Sequence, residues 1–128
     1  MTDTGIDDET RALVLARAGH RCEACGIGVH TMLGYSAQHR TPRGMGGTTD
    51  RPWINLASNI AVMCGSATTG CHGAAERRVP GLNTRGFWLK SGQPPADTPV
   101  QLFDRTWVEL TDTGLYLPTQ PPTERPAT

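Results

Sequence analysis

The chain has few aromatic residues, no long apolar run and no net charge. Aromatic residues make up 5% of its 128 residues, while Gly (15) and Pro (10) together account for about a fifth. This composition disfavours large sheets and long helices and predicts a fold rich in loops. No stretch approaches the roughly 20 apolar residues of a membrane span. We therefore expect one small domain over residues 1–118, away from membranes, and a disordered Pro- and Thr-rich tail over residues 119–128.

The first residues, Met1-Thr2-Asp3-Thr4, lack the basic and then apolar regions of a signal peptide. We therefore expect the protein in a reducing cytoplasm. Cysteines in that compartment are metal ligands or nucleophiles more often than disulfides. A secreted domain with two disulfides is an open alternative.

The positive charge is concentrated in the middle of the chain. Overall, 12 basic residues balance 12 acidic residues, which argues against a purely electrostatic nucleic-acid binder. Residues 40–90, however, carry six Arg and one Lys against only Asp50 and Glu76, a surplus of five. This distribution favours a phosphate-bearing partner.

The four cysteines form two pairs, Cys22-x2-Cys25 and Cys64-x6-Cys71. Two pairs of thiolates suit tetrahedral Zn²⁺, and a small loop-rich domain gains stability from such a site. A redox pair is the alternative, but no βαβ pattern surrounds the first two cysteines. Unreactive buried cysteines are a further alternative. We predict a structural zinc site in which all four cysteines are ligands.

Hydrophobic patterning, with Gly and Pro as breaks, predicts a small α+β domain with an N-terminal helix and short C-terminal strands. The predicted elements are a helix from Asp7 or Asp8 to Arg17 ending at Gly19, strands at Tyr35–His39 and Asn59–Cys64, a helix at Cys71–Arg78, apolar segments at 86–90, 100–103 and 106–110, and a hairpin turn at Asp112–Gly114.

Three polar side chains lie between and beside the cysteine pairs. His39 ends the first predicted strand, Asn59 opens the second, and His72 directly follows the last cysteine. This order resembles the HNH endonucleases, whose ββα-metal site has a His ending one strand, an Asn opening the next and a His on the helix. The segments Arg43–Gly47 and Cys64–Gly73 are similar to short zinc-bearing HNH proteins of actinobacteria and their phages.

The resemblance covers roughly residues 11–117 and implies a His-Me finger domain that hydrolyses phosphodiester bonds of DNA. It implies that His39 is the general base for the attacking water. It also implies that Asn59 bonds across the loop to orient His39, and that His72 holds a divalent ion. That ion is expected to be Mg²⁺ or Mn²⁺, with Ni²⁺ as a further candidate.

The residue before the catalytic His departs from the family pattern. Family members commonly have Asp or His there as a second metal ligand, whereas this chain has Gln38. An amide oxygen is a weaker ligand than a carboxylate, although it can bind a hard cation. We therefore expect Gln38 and His72 to hold the catalytic ion weakly when DNA is absent, and turnover to be slow.

The expected partner is double-stranded DNA, cut with little sequence specificity because nothing resembles a base-reading module. If the chain is phage-encoded, the resemblance implies work beside a packaging terminase in the host cytoplasm. The candidate phosphate contacts are Arg40, Arg43, Arg77 and Arg78.

Three other functions are open at this point. The first is a non-catalytic zinc module that binds DNA or a phage protein, with Gln38 as the mark of lost chemistry. The second is an interaction protein whose zinc knuckle presents the Gly-rich loop at residues 41–52. The third is a restriction-type enzyme that recognises modified cytosine.

Overall fold

The computed structural model describes residues 6–29, 35–41, 52–66, 68–90 and 92–122. These residues form two helices and two small antiparallel sheets, which confirms the predicted α+β class. The elements are, in chain order, α1 (Asp8–Arg17), β1 (Tyr35–His39), a first 3-10 turn (Ala57–Asn59), β2 (Ile60–Cys64), α2 (Gly70–Glu76), a second 3-10 turn (Pro95–Asp97), β3 (Val100–Gln101), β4 (Trp107–Leu110) and β5 (Tyr116–Pro118).

Helix α1 begins and ends where the sequence predicts. The Asp7 carboxylate accepts the Thr10 amide at 2.7 Å and caps the helix. Gly19 follows the helix with a φ of 62°, a conformation that glycine adopts at low cost. Val14 is fully buried and faces the core.

Strands β1 and β2 pair antiparallel, with Gln38 opposite Ala61 and His39 opposite Ile60. All five residues of β2 are buried, which explains why its sequence is a continuous apolar run. Its alternate side chains enter two different apolar clusters. Strand β2 starts one residue later than predicted, because Asn59 ends the 3-10 turn.

The two apolar clusters lie on opposite faces of this hairpin. The first cluster joins Ala61 and Met63 of β2 to Ala75 of α2 and to buried residues of the C-terminal sheet. The second joins Ile60 and Val62 of β2 to α1 and to Ala37 of β1. Each face of β2 therefore packs against a different helix.

Helix α2 ends at Glu76, two residues before the predicted end, and Arg78 has a φ of 54°.

Strands β3, β4 and β5 form the second sheet, and the predicted hairpin at Asp112–Gly114 is confirmed. Residues 86–90 form no strand, although the Leu89 amide donates to the Arg40 carbonyl at 2.7 Å. The Thr119 amide bonds the Trp107 carbonyl at 3.0 Å. None of the helices in the described ranges is long and apolar enough to span a membrane.

Candidate metal centre and candidate active site

The four cysteine sulfurs form one cluster. The Sγ atoms of Cys22, Cys25, Cys64 and Cys71 all lie within 4.8 Å of one another, and those of Cys25 and Cys64 are 3.7 Å apart. Zn–S bonds of about 2.3 Å in a tetrahedron place sulfurs about 3.8 Å apart. The four cysteines are therefore positioned to hold a metal ion, and the donor set suits zinc.

Glycine after a cysteine in each pair shapes the two knuckles. Gly26 has a φ of 84° and Gly65 a φ of 90°, as expected for sharp turns. A Cβ at Gly26 would lie 2.7 Å from the Phe103 ring, and one at Gly65 would overlap the Thr69 carbonyl. The Cys71 amide donates to the Cys64 sulfur at 3.4 Å, which ties the second knuckle to the start of α2.

Contacts and burial within the cluster lower the pKa of one thiol and raise the pKa of two others. The Cys71 thiol is directed at the Cys22 sulfur and lowers the pKa of Cys22 to about 5. Backbone amides also lower this pKa, whereas burial opposes the shift. The same contact is the main cause that raises the pKa of Cys71. Burial raises the pKa of Cys25. A bound cation would favour the thiolate form of all of them.

Two of the predicted active-site residues, His39 and Asn59, lie at the other end of the β1–β2 hairpin. His39 is the last residue of β1, and its Nε2 lies 2.8 Å from Oδ1 of Asn55. Asn59 is fully buried; its Oδ1 accepts the Thr41 amide at 2.9 Å and its Nδ2 donates to the Ile54 carbonyl at 2.9 Å. Asn59 thus joins the two ends of the loop between the strands. The His39 ring itself, however, lies against Asn55 and not against Asn59.

Gln38 and His72 both have a buried atom without a hydrogen-bond partner. Within the described residues, the buried side-chain atoms without a partner are Gln38 Oε1, Thr41 Oγ1, His72 Nδ1 and Trp88 Nε1. Gln38 Nε2 donates to the His39 carbonyl at 3.0 Å, which leaves Oε1 as the unused atom. Burial lowers the pKa of His72, although Glu76 opposes this, so the ring is neutral near pH 7.

Arg40 is not a surface cation, which corrects its prediction as a phosphate contact. Its side chain is fully buried. Its guanidinium donates to four backbone carbonyls, those of Ser58, Gly86, Pro95 and Thr98, at 2.7–2.9 Å. Burial lowers the pKa of Arg40 to about 9, helped by Arg17 and opposed by Glu23. Arg40 therefore stays charged near pH 7 and holds the C-terminal segment against β1.

The remaining predicted phosphate contacts differ in exposure and in partners. Arg77 and Arg78 are exposed at the end of α2. Arg77 donates to the Thr68 carbonyl at 3.3 Å, and the guanidinium carbon of Arg78 lies 5.3 Å from the centre of the Trp88 ring. Arg43 lies outside the described residues.

Two further polar features were not predicted. Asn55 sits in a turn-rich segment with no spacing that marks it, and only its contact with His39 identifies it. Glu23, between the first two cysteines, is 2% exposed and binds Arg17 and Tyr116. An acid inside a cysteine knuckle is the one sequence signal that could have suggested a buried ion pair.

Comparison of the chain with models of protein families, with curated proteins and with solved structures gives no match. The structure defines a small α+β domain with a four-cysteine cluster that could bind a metal ion and with His39 beside Asn55 at the other end of the β1–β2 hairpin. Its function is therefore argued from the chemistry of these residues.

Proposed function

We propose that this protein is a metal-dependent DNA endonuclease of the HNH type, stabilised by a structural zinc ion at the four cysteines. One observation carries the proposal. Gln38 Oε1 and His72 Nδ1 are both buried and have no hydrogen-bond partner. The resemblance makes these two side chains the ligands of a catalytic ion. Buried polar atoms almost always have partners, so such atoms are typical of positions where an ion or a water binds.

The strand register favours one site for both atoms. Gln38 pairs with Ala61, and Ala61 belongs to the apolar cluster that contains Ala75 of α2. Directly opposed residues of antiparallel strands project to the same face of a sheet. Gln38 therefore shares its face with α2, the helix that carries His72, whereas His39, opposite Ile60, is the last residue of the strand and belongs to the other face. The order β1, β2, α2 agrees with the ββα arrangement of the family.

The donor sets suit two different ions. Four thiolates suit Zn²⁺, because sulfur is a soft ligand and the tetrahedron is complete. An amide oxygen and a neutral imidazole suit a weakly held ion that keeps water or phosphate oxygens, for which Mg²⁺ and Mn²⁺ are the first candidates and Ni²⁺ is a third.

Each residue has a separate task in the proposed reaction. His39 accepts a proton from the water that attacks the phosphorus atom. Asn59 fixes the two ends of the loop beside His39. Gln38 and His72 hold the divalent ion, which would stabilise charge on the phosphate and on the departing oxygen.

Double-stranded DNA is the proposed substrate, and the cytoplasm of a bacterium or of a phage-infected cell is the proposed location. Arg77 and Arg78 are exposed directly after the helix that carries His72, so they are suited to contact phosphates beside the site. Neither arginine reads bases in this role, which agrees with low sequence specificity. A packaging terminase is the proposed partner if the chain is phage-encoded.

One observation also favours a second function, a zinc module that binds DNA without cutting it. Gln38 offers one neutral oxygen as a ligand, because a carboxamide has a single acceptor oxygen and no charge. Such a site lacks the charge that retains a divalent ion in the absence of substrate. The same assay separates the two functions.

The test is nicking of supercoiled plasmid by zinc-loaded protein freed of other ions, with Mg²⁺, Mn²⁺ or Ni²⁺ added. We expect nicking that depends on the ion and is lost in His39→Ala, because the general base is worth about 10²–10⁴ in rate. His20→Asn is the matched control, since His20 is exposed with a φ of 58° that asparagine tolerates.

Equal nicking by wild type and His39→Ala would reject the proposed mechanism. No nicking with any ion, from protein that still binds DNA, would support the binding module. Gln38→Asp is then the decisive variant, because a carboxylate at this position restores the charge that the family pattern has. Nicking gained by Gln38→Asp and abolished by adding His39→Ala would show that the wild-type site is a weakened nuclease.

A further inference from the structure

The side chain of Asn55 lies against one nitrogen of the His39 ring. Asn55 Oδ1 lies 2.8 Å from His39 Nε2, within hydrogen-bond distance. A carboxamide oxygen only accepts hydrogen bonds, so the proton of this bond belongs to Nε2. A neutral imidazole has one N–H, and its lone pair is then on Nδ1.

Asn55 is itself held by bonds that leave it little freedom. The Ile54 carbonyl, in the residue before it, accepts Asn59 Nδ2 at 2.9 Å. The Leu56 amide, in the residue after it, donates to the Trp53 carbonyl at 3.0 Å. The backbone on both sides of Asn55 is therefore fixed, and its side chain is half-buried. A group held in this way can orient an imidazole.

Asn59 cannot play this part directly. Its Oδ1 is engaged by the Thr41 amide, and its Nδ2 by the carbonyls of Ile54 and Thr41. Its fully buried side chain acts on the backbone that carries Asn55. The family resemblance implies that Asn59 orients His39, whereas the side chain in contact with the ring is that of Asn55.

We propose that Asn55 is the positioning residue of His39, holding the ring with its proton on Nε2 and its lone pair on Nδ1. The kinetic consequence rests on the proposed nuclease function, but the protonation pattern of the ring does not. The general principle is that of other catalytic bases, in which a third group selects the tautomer of the imidazole.

The first test is a two-bond ¹H–¹⁵N correlation spectrum of the zinc-loaded full chain at about pH 8.5, where an ordinary imidazole is neutral. The His39 signals are assigned by their absence in His39→Ala. We expect the Nε2–H pattern in wild type, and intermediate shifts from mixed tautomers in Asn55→Leu. Asn55→Asp keeps the acceptor oxygen and is expected to keep Nε2 protonated.

Asn83→Leu is the matched control, because Asn83 Oδ1 accepts the Gly81 amide in an exposed turn. It should leave the His39 signals unchanged. Asn55→Ala, which adds no bulk, replaces Asn55→Leu if the latter does not fold. An Nδ1–H pattern in wild type, or an unchanged His39 pattern in the Leu or Ala variant, overturns the proposal.

The second test is plasmid nicking by the same variants. Asn55→Leu should lower kcat about 10- to 100-fold with KM within about twofold, because orientation of the base is lost but DNA binding is not. Asn55→Asp should retain most of the rate. A raised KM with unchanged kcat contradicts positioning and indicates a DNA contact instead. If the wild type does not nick at all, the proposed function fails, and the spectra alone decide the role of Asn55.

Discussion

Arginine residues serve different purposes in this chain, and burial separates them. Arg40 is fully buried, with its guanidinium on four backbone carbonyls. Arg17 is 1% exposed and pairs with Glu23 at 2.7 Å. Arg77 is exposed at the end of a helix. The excess of basic residues between positions 40 and 90 therefore overstates the positive surface, because one of its arginines is internal.

Arg40→Met should lower the free energy of unfolding by at least about 3 kcal/mol, because several buried carbonyls lose a charged donor. Arg77→Met should change it by no more than about 0.5 kcal/mol. Urea denaturation of the zinc-loaded proteins measures both. In DNA titrations at several salt concentrations, Arg77→Met should weaken binding more than Arg40→Met. The slope of log K against log[salt] should be reduced by about 1 for Arg77→Met. Weakened DNA binding by an Arg40→Met protein of unchanged stability would restore Arg40 as a phosphate contact.

At the scale of elements, the Glu23 carboxylate joins the helix and both sheets. It binds the Arg17 guanidinium of α1 at 2.7 and 3.0 Å. It also accepts the Val62 amide of β2 at 2.7 Å and the Tyr116 hydroxyl of β5 at 2.6 Å. Val62 and Tyr116 lie 39 and 93 positions from Glu23 in the sequence. These bonds therefore fix how the segment with Cys22 and Cys25 packs against the two sheets.

Tyr116→Phe should cost about 1.5–3 kcal/mol of stability, the usual contribution of a hydrogen bond to a charged group. Burial, with the nearby Glu23, raises the pKa of Tyr116 above its usual value. A raised pKa in the folded state favours the neutral phenol, so its contribution is fully present below about pH 10, the ordinary pKa of tyrosine, and is lost as the pH rises towards the folded value.

Urea denaturation of wild type and Tyr116→Phe across this range measures the effect. The difference between them should be constant from about pH 7 to 9 and shrink above about pH 10. Tyr35→Phe on β1 is the matched control, with no hydrogen bond to its hydroxyl among the described residues. A difference that grows with pH would contradict the inferred direction of the pKa shift.

At the scale of the whole molecule, the cysteine cluster joins segments that are far apart in sequence. Cys22 and Cys25 precede β1, Cys64 ends β2, and Cys71 lies in α2. Cys22 and Cys64 are also part of the larger apolar cluster, together with residues of the C-terminal sheet. A metal ion at this position would therefore support the hydrophobic core as well as the knuckles.

Removal of the metal should abolish cooperative melting. Structural zinc contributes about 10–16 kcal/mol of binding free energy, which equals or exceeds the usual stability of a domain, about 5–15 kcal/mol. Circular dichroism melts before and after chelation test this, and added Zn²⁺ should restore the transition. Mg²⁺ should not restore it, because it prefers oxygen ligands. An unchanged melting temperature after verified removal of zinc would show that the site is not structural.

The sequence predicted elements whose signals are local. The cap at Asp7, the glycine after α1, the apolar run of β2 and the turn at Asp112–Gly114 depend on neighbours within a few residues. The spacing of the cysteines likewise predicted one cluster that contains all four. The end of α2 was placed two residues late, because α2 gives way to a left-handed residue at Arg78 that no glycine marks.

By itself the sequence determined the fold class and the cysteine cluster, because each follows from residue type at fixed spacing. Only the tertiary structure decided that Arg40 is internal, that Asn55 is the partner of His39 and that Glu23 binds Tyr116. The physical reason is that an arginine or an asparagine carries the same donors and acceptors wherever it stands. Which of them are used depends on groups that folding brings from 16 to 93 positions away.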